Sequence, residues 1–187
     1  MSILQTAASL KAAGECAPRH ARDPINQAMI NNWTEALGDE NPLYPAGVAP
    51  PAMIQVWTMQ GLHGARATDD PLGLMMAALD DEGYTSVVAT NCEQAYHRYL
   101  SVGENLTVTT RLDDVVGPKQ TTLGEGWFVT TRNVWYSGDE PVAEMLFRVL
   151  KFKPAPALDT SAVIRPVISH DTAFFWKGTA AGELRIQ

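Results

Sequence analysis

Residues that could take part in acid–base chemistry are concentrated in one short run, Gly38-Asp39-Glu40-Asn41-Pro42-Leu43-Tyr44. An aspartate can hold or activate a water molecule when a second acid–base group lies within hydrogen-bond reach of the same water. A phenol such as that of Tyr44 donates a hydrogen bond but is a poor base near neutral pH. Asp39 is also suited to accept backbone N–H groups in a turn, and Asn41-Pro42 is typical of turns. The run alone therefore leaves a chemical and a structural interpretation open.

Composition narrows the class of protein that carries this run. The chain has 187 residues, of which 45% are apolar and 19% charged, as in an ordinary globular protein. Its net charge of -7 argues against a nucleic-acid partner or an anionic membrane surface. The two cysteines, Cys16 and Cys92, lie far apart without a CxxC pair, which indicates a reduced cytoplasmic protein. We find neither a signal-peptide pattern nor an apolar run long enough for a membrane span.

Three helices are predicted in the first half of the chain. A helix over 24–37 would be capped by Asp23, because its apolar residues recur at helical spacing and Gly38 follows. A second helix over 51–62 is apolar around most of its circumference and should be largely buried. Asp70 and Pro71 would cap and open a third helix over 71–81.

After Gly83 the sequence becomes rich in Val, Thr and aromatic residues. Strands are predicted over 85–99, 105–116, 121–136 and 141–153, with Gly117-Pro118 among the turns between them. Helices followed by an antiparallel meander predict an α+β fold, in which the sheet packs against the buried helix 51–62.

Two ordered motifs carry a resemblance to a known family. The Gly38–Tyr44 run is followed by Val48-Ala49-Pro50-Pro51-Ala52-Met53, and a second motif extends from Glu93 to Glu104. Together they resemble the MaoC-like family of R-specific enoyl-CoA hydratases and dehydratases, over roughly residues 20–153. The resemblance implies a hot-dog fold, with an antiparallel sheet wrapped round a central buried helix. It also implies chemistry in which an Asp and a His, five positions apart, activate water for addition to an enoyl thioester.

The departure from the family pattern sharpens the functional expectation. Asp39 matches the family's aspartate, but Tyr44 stands where the family has its histidine. Some members work as paired hot dogs in which one half lacks the Asp/His pair and helps to form the acyl pocket. This chain resembles that non-catalytic half, so no catalytic residue is assigned to it. The resemblance implies the following residues for substrate binding: Asp39, Asn41, Tyr44, Val48, Pro50, Met53 and Trp57.

The last thirty-odd residues resemble a different domain. Pro154-Ala155-Pro156-Ala157 is typical of a linker, and Phe174-Phe175-Trp176 with the following residues is similar to the start of an acyl-CoA-associated zinc-ribbon/OB domain. We therefore expect a MaoC-like domain over 1–153, and over 154–187 a linker and an incomplete C-terminal domain. This combination resembles the larger subunit of heteromeric hydratases that act on steroid side-chain enoyl-CoA.

The resemblance also implies partners and cofactors. We expect a small MaoC-like catalytic subunit in a heterodimer or heterotetramer, and a thiolase-like aldolase that binds through the missing C-terminal domain. The acyl-CoA is the substrate rather than a cofactor, no cofactor is expected, and zinc would belong only to the missing domain. Two alternatives stay open: a self-sufficient hydratase or thioesterase that uses Asp39, and a non-enzymatic acyl-CoA-binding scaffold.

Overall fold

A five-stranded antiparallel sheet frames the larger part of the chain. The computed structural model describes residues 2–154 and 167–185, and the chain divides into two compact units, Met1–Ala155 and Pro156–Gln187. The strands of the sheet in the first unit, in spatial order, are β1 (Arg19–His20), β5 (Leu106–Thr121), β6 (Gly124–Ser137), β7 (Glu140–Phe152) and β3 (Ser86–Tyr96). A separate two-stranded ribbon pairs β2 (Val48–Ala49) with β4 (Leu100–Ser101).

Helices of this unit surround one face of the sheet. They are α1 (Ile3–Ala13), α2 (Gln27–Leu37), a 3-10 turn (Pro51–Met53) that leads into α3 (Ile54–Trp57), and α4 (Pro71–Asp81). The helix over 71–81 is confirmed in full: Asp70 accepts a hydrogen bond from the Leu72 N–H at 3.1 Å, and Pro71 begins the helix. Sequence analysis did not predict α1, although Ser2 and Gln5 form a capping box at its start.

The predicted start of the helix over 24–37 is wrong. α2 begins at Gln27 and is capped by Asn26, whose side chain accepts from the Met29 N–H at 3.0 Å. Ile25 cannot be helical, because its N–H donates to the Glu104 carbonyl and its own carbonyl accepts from Gly103. This extended pairing moves the cap three residues beyond Asp23.

The central helix is much shorter than predicted. Met53, Ile54 and Trp57 are buried against the sheet as expected, but the α-helix ends at Trp57 instead of about residue 62. Met59 and Leu62, which the prediction placed in the core, are 65% and 92% exposed. Thr58 caps the end of the helix, and the chain then turns at Gly61, which has a left-handed backbone with φ of 74°.

The four predicted long strands are present, with one wrong boundary. Gly117-Pro118 does not form a turn; it lies inside β5 at a bulge, and the chain reverses at residues 122–123 instead. A Cβ atom at Gly117 would lie 2.8 Å from the Trp127 ring, so glycine is needed there for close packing rather than for a turn. On β7, Ala143, Met145 and Val149 are buried on one face of the strand.

The apolar core of this unit is split into two clusters. The first packs α2 and α3 against the start of β5 and the end of β6, around Val108, Trp135 and Met53. The second packs α1 and α4 against the other half of these strands, around Trp127 and Val129. The centre of the sheet therefore lies between two cores.

The second unit contains α5 (Ala173–Ala180) among its described residues. Phe175 packs edge-on against Trp176, with ring centroids 5.0 Å apart, and the Arg185 guanidinium lies 5.8 Å from the Phe174 ring centroid. Apart from Pro154, the predicted linker lies outside the described residues. The assignment of this unit to a zinc-ribbon/OB domain stays a prediction.

Neither a membrane-spanning helix nor a cluster of metal ligands is found among the described residues. No helix in them combines the length and the hydropathy needed to cross a membrane. Within residues 2–154 and 167–185, no group of three or more His, Cys, Asp or Glu side chains is placed to hold a metal ion.

Candidate functional site

Asp39 lies in an exposed turn directly after α2. Gly38 ends the helix in a left-handed conformation, and the Asp39 N–H donates to the Thr34 carbonyl at 2.9 Å. The Asp39 carboxylate accepts the Asn41 N–H at 3.2 Å, and the Asn41 side chain accepts the Leu43 N–H at 3.0 Å. Both polar residues of the motif therefore stabilise the backbone of the turn. Asp39 lines a shallow, open depression whose other lining residues are Asn31, Thr34, Glu35, Gly38 and Glu40.

Tyr44 belongs to the apolar core. It is 7% exposed and packs in the same cluster as Ile30 and Met53. Its backbone carbonyl accepts the Gln27 side-chain amide at 3.0 Å, which fixes the loop against α2. A phenol at this position contributes apolar surface to the core, and the exposed depression lined by Asp39 does not include it.

The remaining predicted binding residues support the same core. Val48 pairs with Ser101 in the β2–β4 ribbon and is half-buried, while Pro50 and Met53 are buried. Trp57 lines a cavity of about 240 Å³ beside α2. Its indole N–H is buried and has no hydrogen-bond partner among the described residues. Of the seven predicted binding residues, Asp39 and Trp57 line cavities described here, but different ones.

A cavity larger than the one at Trp57 lies over the centre of the sheet, beside the segment that follows α3. Its volume is about 380 Å³, which is within the range of small-molecule sites. The segment after α3 forms one wall, from Thr58 to Arg66 and Asp70. The sheet forms the opposite wall with side chains from three adjacent strands: Thr110 of β5, Thr131, Asn133 and Trp135 of β6, and Met145 and Phe147 of β7.

The sheet wall of this cavity is polar at its centre. Thr110 and Asn133 lie opposite each other in the β5–β6 register, and the Thr110 hydroxyl donates to the Asn133 Oδ1 at 2.8 Å. Above them, the Trp135 indole donates to the Thr58 hydroxyl at 3.0 Å and ties the cavity wall to the end of α3. These groups separate the two apolar clusters.

Two arginines flank the mouth of the cavity. Arg66 pairs with Asp70 at 2.7 Å, so its charge is already compensated. Arg19 extends from β1, and the described residues give it no ion-pair partner. The mouth can therefore present positive charge to an anionic ligand.

Sequence analysis missed this cavity, although the sequence contained a signal. In the predicted strands every second residue faces inward, and apolar side chains are expected at these inward positions. Three of them are polar: Thr110, Thr131 and Asn133. Polar residues at inward positions of two adjacent strands would have indicated a polar pocket.

Arg98 is held by acidic side chains and is not free to bind a ligand phosphate. Its guanidinium contacts both carboxylate oxygens of Glu104 at 3.0 and 2.8 Å and Glu140 at 3.0 Å. The hydrogen bond from Arg98 to Glu104 raises the pKa of Arg98 further. This cluster closes the β3–β4 turn against the β6–β7 hairpin.

β3 is a long, open edge of the sheet. Among the described residues it pairs only with β7, and ten of its eleven residues are exposed, including Val87, Val88 and Tyr96. An exposed edge strand without proline is a template for pairing with another chain. The cavity wall on β7 is adjacent to this strand, because Met145 lies opposite Gln94.

Comparisons with known proteins identify the family and its relatives. A family profile described as the FAS1-like dehydratase domain region matches residues 13–145. The 3-oxo-4,17-pregnadiene-20-carboxyl-CoA hydratase alpha subunit of Mycobacterium tuberculosis is 58% identical over 203 residues, which cover 99% of this chain and 65% of that protein. A probable enoyl-CoA hydratase alpha subunit of Thermomonospora curvata is 36% identical over 191 residues, covering 91% of this chain and 60% of that protein.

A solved structure gives the same result. A chain in the crystal structure of the ChsH1-ChsH2 complex from Mycobacterium tuberculosis is 60% identical, with a TM-score of 0.79. The likeness covers 82% of this chain and 97% of that chain, and it confirms the predicted α+β hot-dog fold. The present chain spans less than two thirds of the length of both curated relatives.

Proposed function

Since the chain belongs to the FAS1-like dehydratase domain family, we propose that it is the non-catalytic, pocket-forming subunit of a heteromeric enoyl-CoA hydratase. A MaoC-like partner supplies the Asp/His pair. The substrate is a bulky enoyl-CoA of the steroid side-chain type, as the name of the Mycobacterium tuberculosis relative suggests.

The observation that carries this proposal is the position of the two motif residues, Asp39 and Tyr44. The Asp39 carboxylate is bound within its own exposed turn, and Tyr44 is buried in the core. An acid–base pair for hydration needs both groups within hydrogen-bond reach of one water. This chain has the aspartate in the wrong environment and no imidazole at position 44.

Assembly with the partner is supported by the open edge of β3. Pairing of a second hot dog along this strand would satisfy its exposed backbone groups and cover Val87, Val88 and Tyr96. The relatives are named as alpha subunits, and the solved relative is a complex. The cavity of this chain, one strand from the edge, would then lie beside the partner's acid–base pair.

In the proposed reaction the partner's base takes a proton from water, and the water oxygen attacks the β-carbon of the enoyl thioester. The α-carbon then takes a proton. This chain contributes binding: its cavity holds the acyl group and excludes bulk water from it. Such positioning lowers the barrier because the reacting groups are already oriented.

Reciprocal mutagenesis of the reconstituted complex tests the division of labour. We expect Asp39→Asn to leave kcat within twofold, because the Asp39 carboxylate only accepts a backbone N–H in its turn. The matched substitution of the partner's motif aspartate should lower kcat by at least a hundredfold. The opposite pattern would show that Asp39 is the acid–base group and would support a self-sufficient enzyme.

The scaffold alternative is separated by the same preparation. A non-enzymatic acyl-CoA-binding module would bind substrate without changing the partner's turnover. The proposal instead predicts that turnover of the bulky substrate depends on this chain, while a short enoyl-CoA that needs no large pocket depends on it less.

A further inference from the structure

The polar centre of the large cavity indicates how the bound acyl group is recognised. We propose that Asn133, oriented by Thr110, donates a hydrogen bond to a ketone oxygen at the end of the acyl group remote from the thioester. This inference rests on the proposed function and adds to it a residue that determines substrate specificity.

The orientation of the Asn133 amide follows from its partner. Thr110 is 5% exposed, and its hydroxyl donates to the Asn133 Oδ1 at 2.8 Å. This bond leaves the amide NH2 group of Asn133, which has two donors and no acceptor character. Among the described residues no acceptor for this NH2 group is found, and Asn133 lines the cavity. The site therefore offers a donor to whatever oxygen enters it.

The fold alone does not account for polar residues at this level of the sheet. On one side the next inward row is apolar, with Val108 opposite Trp135. On the other side Leu112 lies opposite Thr131, and the row beyond it is again apolar, with Val115 opposite Val129. Asn133 is half-buried and lines the cavity, so its NH2 group is open to whatever enters the cavity. A ligand with a matching acceptor would use these donors.

The distance of Asn133 from the open edge of the sheet restricts the length and rigidity of a ligand that can reach it. Asn133 lies on β6, and β7 and β3 separate it from the open edge. With neighbouring strands about 4.8 Å apart, the donor is about 10 Å from the edge where the partner would pair. An acyl group with its thioester at that edge must be long and rigid to place a ketone oxygen over Asn133. A flexible chain could not hold an oxygen there without a large loss of conformational entropy.

A substrate pair tests the inference in the reconstituted complex. The two enoyl-CoA thioesters share one polycyclic skeleton; one carries a ketone at the end opposite the side chain, and the other a methylene group. We expect Asn133→Leu to lower kcat/KM about tenfold for the ketone, mainly through KM, since about 1.4 kcal/mol corresponds to a factor of ten. The methylene substrate should change less than twofold.

Thr110→Val and Thr109→Val provide a matched pair of variants. Thr110→Val removes the group that orients Asn133 and should lower the ketone preference about threefold. Thr109 is equally buried on the opposite face of β5, its hydroxyl has no partner among the described residues, and Thr109→Val should leave the preference unchanged. If Asn133→Leu fails to fold, Thr110→Val carries the test.

The outcomes separate this inference from the function on which it rests. If the wild-type complex hydrates both substrates but Asn133→Leu and Thr110→Val lower both equally, or lower neither, Asn133 does not recognise the ketone and the inference is overturned. If the wild-type complex hydrates neither substrate, the proposed function fails and the inference falls with it. A loss confined to the ketone substrate supports both.

Discussion

Glu104 lies at the centre of an ionic cluster that holds the β3–β4 turn in place, and its replacement gives a quantitative test of this part of the structure. Its carboxylate accepts two bonds from Arg98, one from the Ser137 hydroxyl at 2.7 Å and one from the Ser101 N–H at 2.7 Å. Since Ser101 belongs to the ribbon that pairs with Val48, the cluster also supports the loop that follows Tyr44.

The pKa of Glu104 determines how much its charged form contributes to the free energy of unfolding. Burial alone would raise this pKa, but the hydrogen bonds from Arg98, Ser137 and Ser101 hold it at about 2, below its ordinary value of 4.5. A carboxylate with a depressed pKa contributes stability above its unfolded pKa and loses that stability as the pH falls toward 2. At 1.36 kcal/mol per pKa unit, the charged form contributes about 3 kcal/mol at pH 7. Glu104→Gln keeps neutral hydrogen bonds, so we expect a loss of about 2 kcal/mol and a decrease in Tm of roughly 4–8 °C.

Urea unfolding of the purified chain at several pH values measures this effect. The difference between wild type and Glu104→Gln should be about 2 kcal/mol at pH 7 and should fall below about 1 kcal/mol at pH 3. Glu140→Gln is the control, because Glu140 also pairs with Arg98 but its side chain is 59% exposed, and its loss should be within about 0.5 kcal/mol. A difference that is the same at pH 3 and pH 7 would refute the assigned pKa.

Three further predictions concern single side chains. Cys92 on the exposed edge strand should react readily with a thiol reagent in the isolated chain and at least tenfold more slowly in the complex. The buried Cys16 should react slowly in both. Labelling followed by mass spectrometry measures the two reaction rates. Trp135→Phe removes the buried hydrogen bond to Thr58 and should destabilise the chain by about 1–2 kcal/mol in urea unfolding; an unchanged midpoint would show that the bond is not made in solution. Tyr44→Phe should leave the kcat of the complex within twofold, and a loss above tenfold would assign a proton-transfer role to the phenol.

Elements with local sequence signals were predicted well. The helix over 71–81 was located because Asp70 and Pro71 satisfy the first backbone groups of a helix whatever surrounds them. The long strands followed from residue type and alternation. The end of the central helix was not predictable from apolar content, since Met59 and Leu62 look like core residues and only the course of the chain after Trp57 exposes them.

The candidate site was predicted less completely than the fold. Motif spacing identified Asp39 and Tyr44 and the missing histidine, but not that one side chain is exposed in a turn and the other is buried. The large cavity depends on a register that brings Thr110 opposite Asn133 and on a central helix that ends early. Both are tertiary features, and the polar inward residues were the local sign of them.

Hydratase turnover by this chain, alone and with a MaoC-like partner from the same native source, tests the central claim most directly. A bulky enoyl-CoA is the substrate, and the partner is titrated into a fixed amount of this chain while the loss of the enoyl absorbance is followed. We predict no turnover by the chain alone, and activity that rises with the partner until the two chains are equimolar. Full turnover by the isolated wild-type chain that is abolished in Asp39→Asn would contradict the proposed non-catalytic role of this subunit.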